Sequence, residues 1–521
     1  MIVALQKSGS TIDISSDSAK LVTNSWCRRT RFFRLSCRME SARPMENQLD
    51  ALQSIFTEFY YWVTVVIMFL IHVGFCLYEV GVSREKNKLN TLMKNAMLIP
   101  VITFAFFFVG WWLYFAFQNG PGITGGLISA SQAEPWDELM GTHLGGPGDV
   151  TGLDETGAKE RTKANEGWAR INGVFWAAFL LFSWTTGSIL SGAVIERIRS
   201  GAFWLLAILV GSITWIIGAA WGWSEFGWMV KKLGYHDAYA SCIVHGLAGF
   251  SALAILIHLG PRIGRFREDG TPRVIPPHNT WMVIVGLFII YTGFWGFYAA
   301  CNIPIWEITP REGASGVATW SATTIYFTQT TLSAITFNLL MALTAGMLTG
   351  YMISQGDPFW TFSGGLGGII TASAGNDLYH PYQAFFIAVI GVWCAYKLHY
   401  WVERKFKIDD AVGAVAVHGY CGSIGAVLAG FMLWGYPSSP HEGFARITPW
   451  GQLAGFLILS IGLGFVPCYI LTGLLKKYGI LRIPQEVELA GLDHDLVVEE
   501  SAQKMELAAA EREALQHVSG A

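Results

Sequence analysis

Along this chain apolar residues gather into long runs separated by short polar stretches. Runs of about twenty apolar residues suit helices that cross roughly 30 Å of hydrocarbon. Eleven such runs lie near residues 57–80, 95–118, 169–194, 201–222, 238–260, 279–301, 318–353, 359–376, 381–402, 410–435 and 449–475. The seventh is long enough to be tilted or broken. Transmembrane strands would instead alternate over segments of about ten residues. The pattern predicts an all-α polytopic membrane protein with eleven transmembrane helices.

Composition agrees. Of 521 residues 52% are hydrophobic and 14% charged, against about a quarter charged in soluble domains. The net charge of −3 gives no basic field for nucleic acid. Cys76, Cys242, Cys301, Cys394, Cys421 and Cys468 fall within apolar runs and read as small buried residues rather than a disulfide framework. Three regions are expected: an N-terminal extension (1–56), a membrane domain (57–475) and a cytoplasmic tail (476–521), helical over 498–515. The outer loop 119–168, rich in Gly, Pro and charge, reads as an exposed loop shaping one mouth.

Basic residues orient the chain. They concentrate after the first run (Arg84, Lys86, Lys88, Lys94), the third (Arg197, Arg199), the fifth (Arg262, Arg265, Arg267, Arg273), the ninth (Arg404, Lys405, Lys407) and the eleventh (Lys476, Lys477, Arg482). Those loops are expected in the cytoplasm, with the N-terminus outside and the C-terminus inside. Arg28, Arg29, Arg31, Arg34, Arg38 and Arg43 oppose that rule, so Met45 is the expected natural start.

One element occurs twice. Asp237 is followed after seven residues by His245-Gly246 and then Gly249; Asp410 is followed after seven by His418-Gly419 and then Gly422. The copies fall in the fifth and tenth runs. The first and sixth runs echo each other as well, Ile71-His72-Val73-Gly74-Phe75 against Ile290-Tyr291-Thr292-Gly293-Phe294. Five runs between copies means opposite entry into the membrane: two inverted five-helix repeats plus a final helix, with a pathway at their interface. Eight helical residues would set each His about 12 Å beyond its Asp. The glycines let helices approach closely. A lone histidine on an apolar face is readily a packing residue. Two in a repeated frame, each with its Asp, favour a pathway, because ionisable groups in hydrocarbon are costly. Asp237 and Asp410 read mainly as helix-capping support. Metal binding is the other reading of the histidines, but no further His or Cys completes a site, and no cofactor is expected.

From about 58 to 493 the sequence resembles the ammonium transporter (Amt/Rh) family, nearer its Amt branch. The resemblance is carried by Gly74-Phe75-Cys76-Leu77-Tyr78-Glu79-Val80-Gly81, Lys86-Asn87, Asn90-Thr91-Leu92-Met93-Lys94-Asn95, Gly192-Ala193-Val194-Ile195-Glu196-Arg197, Gly260-Pro261-Arg262 and above all the twin histidines. It implies pore histidines at His245 and His418, gate phenylalanines at Phe182 and Phe297, and Trp223 as the aromatic that recruits ammonium by cation–π attraction. Trp221 and Trp228 are the other matches for that aromatic. Cys301 stands where many members have a serine, Tyr298 where an Asn is usual, and Gly413 where an acidic residue is usual. Gly491-Leu492-Asp493 matches the family tail, but the following His-Gly-Glu stretch is missing, so docking of a PII signal protein is left open.

The function the resemblance implies is a plasma-membrane channel (the inner membrane, if bacterial) that takes ammonium, or methylammonium, and passes ammonia, as a homotrimer. An apolar pore rejects a bare ion, and imidazole can relay protons near neutral pH. The alternatives are an ammonium sensor and an Rh-like channel for another neutral gas. No nucleophile–base arrangement or phosphate loop suggests an enzyme.

Overall fold

The computed structural model describes residues 31–116, 163–224, 227–308 and 318–493. The expectations for the first thirty residues, for most of the loop 119–168 and for the helix at 498–515 lie outside the described residues. The chain divides into two compact units, Met1–Ile55 and Phe56–Ala521. The first unit is helical from Arg31.

The chain is mostly helical. Among the described residues ten helices are long and apolar enough to cross a membrane: α1 (Ile55–Val82), α2 (Glu85–Tyr114), α3 (Gly173–Ala193), α4 (Ser200–Gly222), α5 (Ser241–Leu259), α6 (Thr280–Ala300), α7 (Leu332–Ser354), α9 (Pro381–Phe406), α10 (Val415–Met432) and α11 (Pro449–Lys477). The eighth run forms α8 (Pro358–Ala372), whose fifteen residues reach about 22 Å, short of the hydrocarbon thickness. Its start is fixed by Pro358 in the first turn and by Asp357, whose carboxylate accepts from the Trp360 N–H at 2.9 Å. Polarity is inverted relative to a soluble protein. Phe104 (70% exposed) and Met352 (73%) face outward, while His72, Glu79, His245 and His418 are buried. That is the arrangement hydrocarbon demands, with ionisable groups turned inward.

The seventh run corrects the reading of 318–353 as one span. Its first part forms strand β2 (Ala318–Thr324), antiparallel to β1 (Asn302–Ile308), with Trp306 opposite Trp320, and pairing on its other edge with β3 (Gln329–Thr330). Thr319, Thr323, Thr324, Ile325, Thr328, Thr330 and Thr331 crowd this stretch, and β-branched side chains favour strands. The helix begins only where the Thr331 hydroxyl caps it, accepting from the Ala334 N–H at 3.1 Å.

α1 and α6 cross at backbone contact. A Cβ on Gly74 would lie 2.6 Å from Ile290 Cγ1, and one on Gly293 would lie 2.5 Å from Ile71 Cγ1. α5 and α10 do the same. A Cβ on Gly249 would sit 2.1 Å from the Gly419 nitrogen, and one on Gly422 would sit 2.7 Å from the Gly246 nitrogen. In both crossings the contact is reciprocal between the echoing stretches.

Candidate functional site

Each histidine stands on a helix start built the same way. The Asp237 carboxylate accepts from the backbone N–H groups of Ser241 (2.6 Å), Cys242 (2.7 Å) and Ile243 (2.9 Å). The Asp410 carboxylate accepts from those of Val415 (2.9 Å) and Ala416 (3.3 Å). Three residues after each Asp the backbone turns left-handed, at Ala240 (φ 61°) and Gly413 (φ 69°). Gly413 therefore occupies a position that suits glycine. The first turns, Ser241–Gly246 and Val415–Tyr420, are π-helical and carry the histidines. The eight residues from Asp to His are thus a turn plus a wide helical turn, and the continuous helix expected from the spacing is not what forms.

The two helix starts deliver both imidazoles to one place. His245 Nδ1 and His418 Nδ1 are 3.1 Å apart, with the rings inclined by 27°. One nitrogen must donate and the other accept, so the two neutral rings are in opposite tautomers. The pair therefore presents one N–H and one bare nitrogen at its two outer Nε2 atoms. His245 Nε2 is buried with no hydrogen-bond partner among the described residues.

Aromatic rings extend the pair in both directions. Phe297 lies 5.5 Å and Phe294 5.7 Å from the His245 ring. Phe182 meets Phe297 edge-on at 4.6 Å, and Trp223 meets Phe182 edge-on at 4.8 Å. On the other side Phe75 lies 6.2 Å from the His418 ring. Phe294 and Phe75 are the equivalent residues of the two echoing stretches, so each histidine has beside it the phenylalanine of the other half's echoing stretch. Trp221 and Trp228 pair with each other at 5.8 Å instead. The Trp223 indole donates to the Ala238 carbonyl at 3.3 Å. The Cys301 thiol is directed back to the Phe297 carbonyl at 3.2 Å, and so touches this line of rings through the backbone. Tyr298 turns from the line: its hydroxyl bonds Ser373 Oγ (2.7 Å) and accepts from the Asn376 amide (2.8 Å).

The profile of the Ammonium Transporter Family matches residues 58–502. The chain belongs to this family. Among its relatives, ammonium transporter Amt2 of Archaeoglobus fulgidus is 29% identical over 450 residues, covering 82% of this chain and 84% of the relative. Among solved structures, one titled "Sensor Amt Protein" superposes with a TM-score of 0.65 at 21% identity, covering 85% of this chain and 98% of that one. Mep2 of Saccharomyces cerevisiae superposes with a TM-score of 0.59 at 21% identity, covering 82% and 88%. These likenesses show a shared fold, and membership makes the chain a multi-pass membrane protein of a transporter family rather than an enzyme.

Three further buried groups carry no role in the expectations above. Glu79 and His72 lie on α1, and His236 immediately precedes Asp237. His236 Nε2 contacts the Asp377 carboxylate at 3.0 Å, its Nδ1 faces the Ser438 carbonyl at 3.3 Å, and its ring lies 4.8 Å from Tyr326. The pair has no local sequence signal, because the partner Asp377 is 141 positions away. Burial alone would lower the His236 pKa, but the Asp377 charge outweighs it and raises it above the usual histidine value. A raised folded-state value means the pair's contribution is full below about pH 6.5 and is lost as pH rises through the folded value. The thermal-stability margin of wild type over D377N in detergent is therefore expected to shrink as pH rises above about 6.5. A margin that is constant or grows would contradict this pairing.

Proposed function

We propose that this member conducts ammonia, drawn from ammonium, along the line Trp223, Phe182, Phe297, His245 and His418. The observation that carries the reading is that one unbroken line of buried rings leads to two imidazoles sharing one hydrogen bond. Trp223 offers a π face to a cation at one end. The edge-to-face phenylalanines exclude a hydrated ion, whose desolvation is prohibitive. Neutral ammonia passes far more cheaply, donating and accepting where the histidines accept and donate. Potassium has no proton to shed and is refused. Asp237 and Asp410 serve by holding the helix starts that aim the imidazoles.

The same proposal takes α8 with the 3₁₀ turn Ser373–Gly375 as an eleventh crossing, so that α1–α5 and α6–α10 are inverted repeats and α11 stands outside them. The reciprocal contacts of α1 with α6 and of α5 with α10 support it. The loop charges support an N-terminus outside, a C-terminus inside and Trp223 on the outer side. The plasma membrane, the homotrimer and the open question of PII docking rest on the family resemblance.

Purified protein in liposomes under an ammonium gradient is expected to give saturable uptake of ammonium and labelled methylammonium. Binding without flux would favour the sensor reading, to which the "Sensor Amt Protein" likeness lends a fold. H245A and H418A are each expected to cut ammonium flux about tenfold, equal to ~1.4 kcal/mol in barrier, or to admit potassium. Wild-type rates with unchanged potassium exclusion in both variants would refute the role of the pair.

A further inference from the structure

Past His418, on the side away from Phe297, lies a small cavity whose walls include Phe75, Tyr78, Glu79, Gly192, Ser363 and His418. Glu79 is fully buried. Its carboxyl group accepts from the Ser191 hydroxyl and from the Asn95 amide (2.9 Å), and Lys94 Nζ donates to the Ser191 carbonyl at 3.1 Å. These bonds tie α1 to α2 and α3. A scaffold role alone would satisfy the group at the knot and turn it from the cavity. A carboxylate has about four lone-pair sites, and the two bonds occupy half of them. The cavity wall is also thinned beside it. A Cβ on Gly192 would come 3.2 Å from Glu79 Oε1 and 2.4 Å from Val412 Cγ2. Across the cavity the Ser363 hydroxyl is buried with the Tyr78 hydroxyl as its polar neighbour, and the Tyr78 hydroxyl donates to the Val412 carbonyl at 3.0 Å, which leaves the Ser363 oxygen with acceptor capacity. The cavity thus combines an acid, a buried hydroxyl and the outer edge of the second imidazole, directly after the point where neutral ammonia would leave the histidines.

Resting on the conduction reading above, we infer that this cavity is a second ammonium site and that Glu79 gives ammonia its proton there. The carboxylic O–H of Glu79 breaks as the fourth N–H of ammonium forms. The product is an ammonium ion beside its carboxylate counter-ion, with the Ser363 hydroxyl free to accept from it and the Phe75 ring beside it. Water on that side returns a proton to Glu79 when ammonium leaves. The titratable groups around Glu79 are Cys76 and Tyr78 on its own helix, Lys94 through Ser191, and His418 across the cavity. Lys94 limits the charge at the site once Glu79 is ionised.

The test uses the full-length protein in liposomes. Wild-type ammonium uptake is measured first; its absence would refute the conduction reading, independently of Glu79. E79Q keeps the size of the side chain and its acceptor for Ser191. Its uptake is expected to fall about a hundredfold, the lower end for a positioned proton donor. S191A, which removes one bond of the knot and leaves the acid, is expected to lose far less. Infrared difference spectra of ammonium against sodium are expected to show a carboxylic-acid stretch disappearing in wild type and no such band in E79Q. If E79Q does not fold, E79D is read instead, and a folded E79D must show the band, shifted. Uptake by E79Q at the wild-type rate, equal losses in S191A and E79Q, or the same infrared band in E79Q would each overturn the inference.

Discussion

Gly249→Ala is expected to leave little folded protein and no contact between the two histidines. The added methyl carbon would stand 2.1 Å from the Gly419 nitrogen and 2.3 Å from its Cα. Both are backbone atoms of α10, so no rotamer change relieves them, and the helices must part by about 1 Å or more. Overpacking ordinarily costs about 1–3 kcal/mol, and this site exceeds the ordinary case because the partner cannot move alone. α10 is held at the reciprocal point by Gly422, where a Cβ would meet the Ser241 carbonyl oxygen at 2.2 Å. Separation also breaks the 3.1 Å bond between the imidazoles, so any protein that survives should not transport. For Gly246→Ala the three nearest atoms are Cys242 Sγ, Ser460 Oγ and Ser423 Oγ, at 2.9–3.0 Å, side-chain atoms that can shift, so it should be milder. Gly201→Ala has nothing within 4 Å and serves as the control, neutral or slightly stabilising in a helix. Detergent-solubilised yield, thermal unfolding and methylammonium uptake rank the three. A Gly249→Ala protein as stable and active as the control would show that the crossing is looser than its glycines indicate.

The same residues show what is legible in such a sequence. Apolar runs give the helices because hydrocarbon length is nearly a single number, and the repeated Asp-to-His frame is visible because both copies meet the same local demands. How the copies meet is not written locally. Nothing near Gly249 says that its partner is Gly419, and the shared hydrogen bond needs that crossing. Strand β2 (Ala318–Thr324) hid at the start of the seventh apolar run, since threonine-rich segments pass for helix when only hydropathy is counted. At the candidate site, Phe182, Phe297 and Trp223 were found through family resemblance, as aromatic residues are too common here to stand out. Glu79 lies within a family motif that gives it no role by itself. Its significance depends on a cavity assembled from five separate parts of the chain. Asp409 has no repeat to mark it beside Asp410, and adjacent side chains on a turn face different surroundings.

Asp409→Ala is expected to destabilise the protein by about 3–5 kcal/mol, the range for removing one partner of a buried ion pair. Asp409 is the hub of the basic loops that orient the chain. Arg262 grips it in a fork, Nε to Oδ2 at 2.8 Å and Nη2 to Oδ1 at 3.0 Å, and the Arg262 N–H adds a third bond at 3.0 Å. Arg265 Nε lies 3.3 Å from Oδ1, and Arg197 donates to the Asp409 carbonyl at 2.7 Å. Arg197 and Arg262 are buried, so without the carboxylate their charges have no water to turn to. Glu196 is the nearest other anion, but Arg84 already binds it at 2.7 Å and it lies 3.6 Å from Arg262. Burial alone would raise the Asp409 pKa; Arg262 and Arg197 outweigh it and hold the carboxyl well below the usual range. A depressed value means the stabilisation is complete above about pH 4 and fades only as pH falls through the folded value. At neutral pH Asp409→Asn should therefore cost nearly as much as Asp409→Ala, because the amide keeps the shape and loses the charge. Near pH 3 the wild type should lose part of its margin over both variants. Thermal unfolding at the two pH values separates this from loss of packing, which would penalise Ala alone and at every pH. The expected lesion reaches the pore by a short path. Asp409 adjoins Asp410, whose carboxylate starts the helix that carries His418, so slackening the arginine cluster should also tilt the second imidazole and lower flux in whatever protein remains folded.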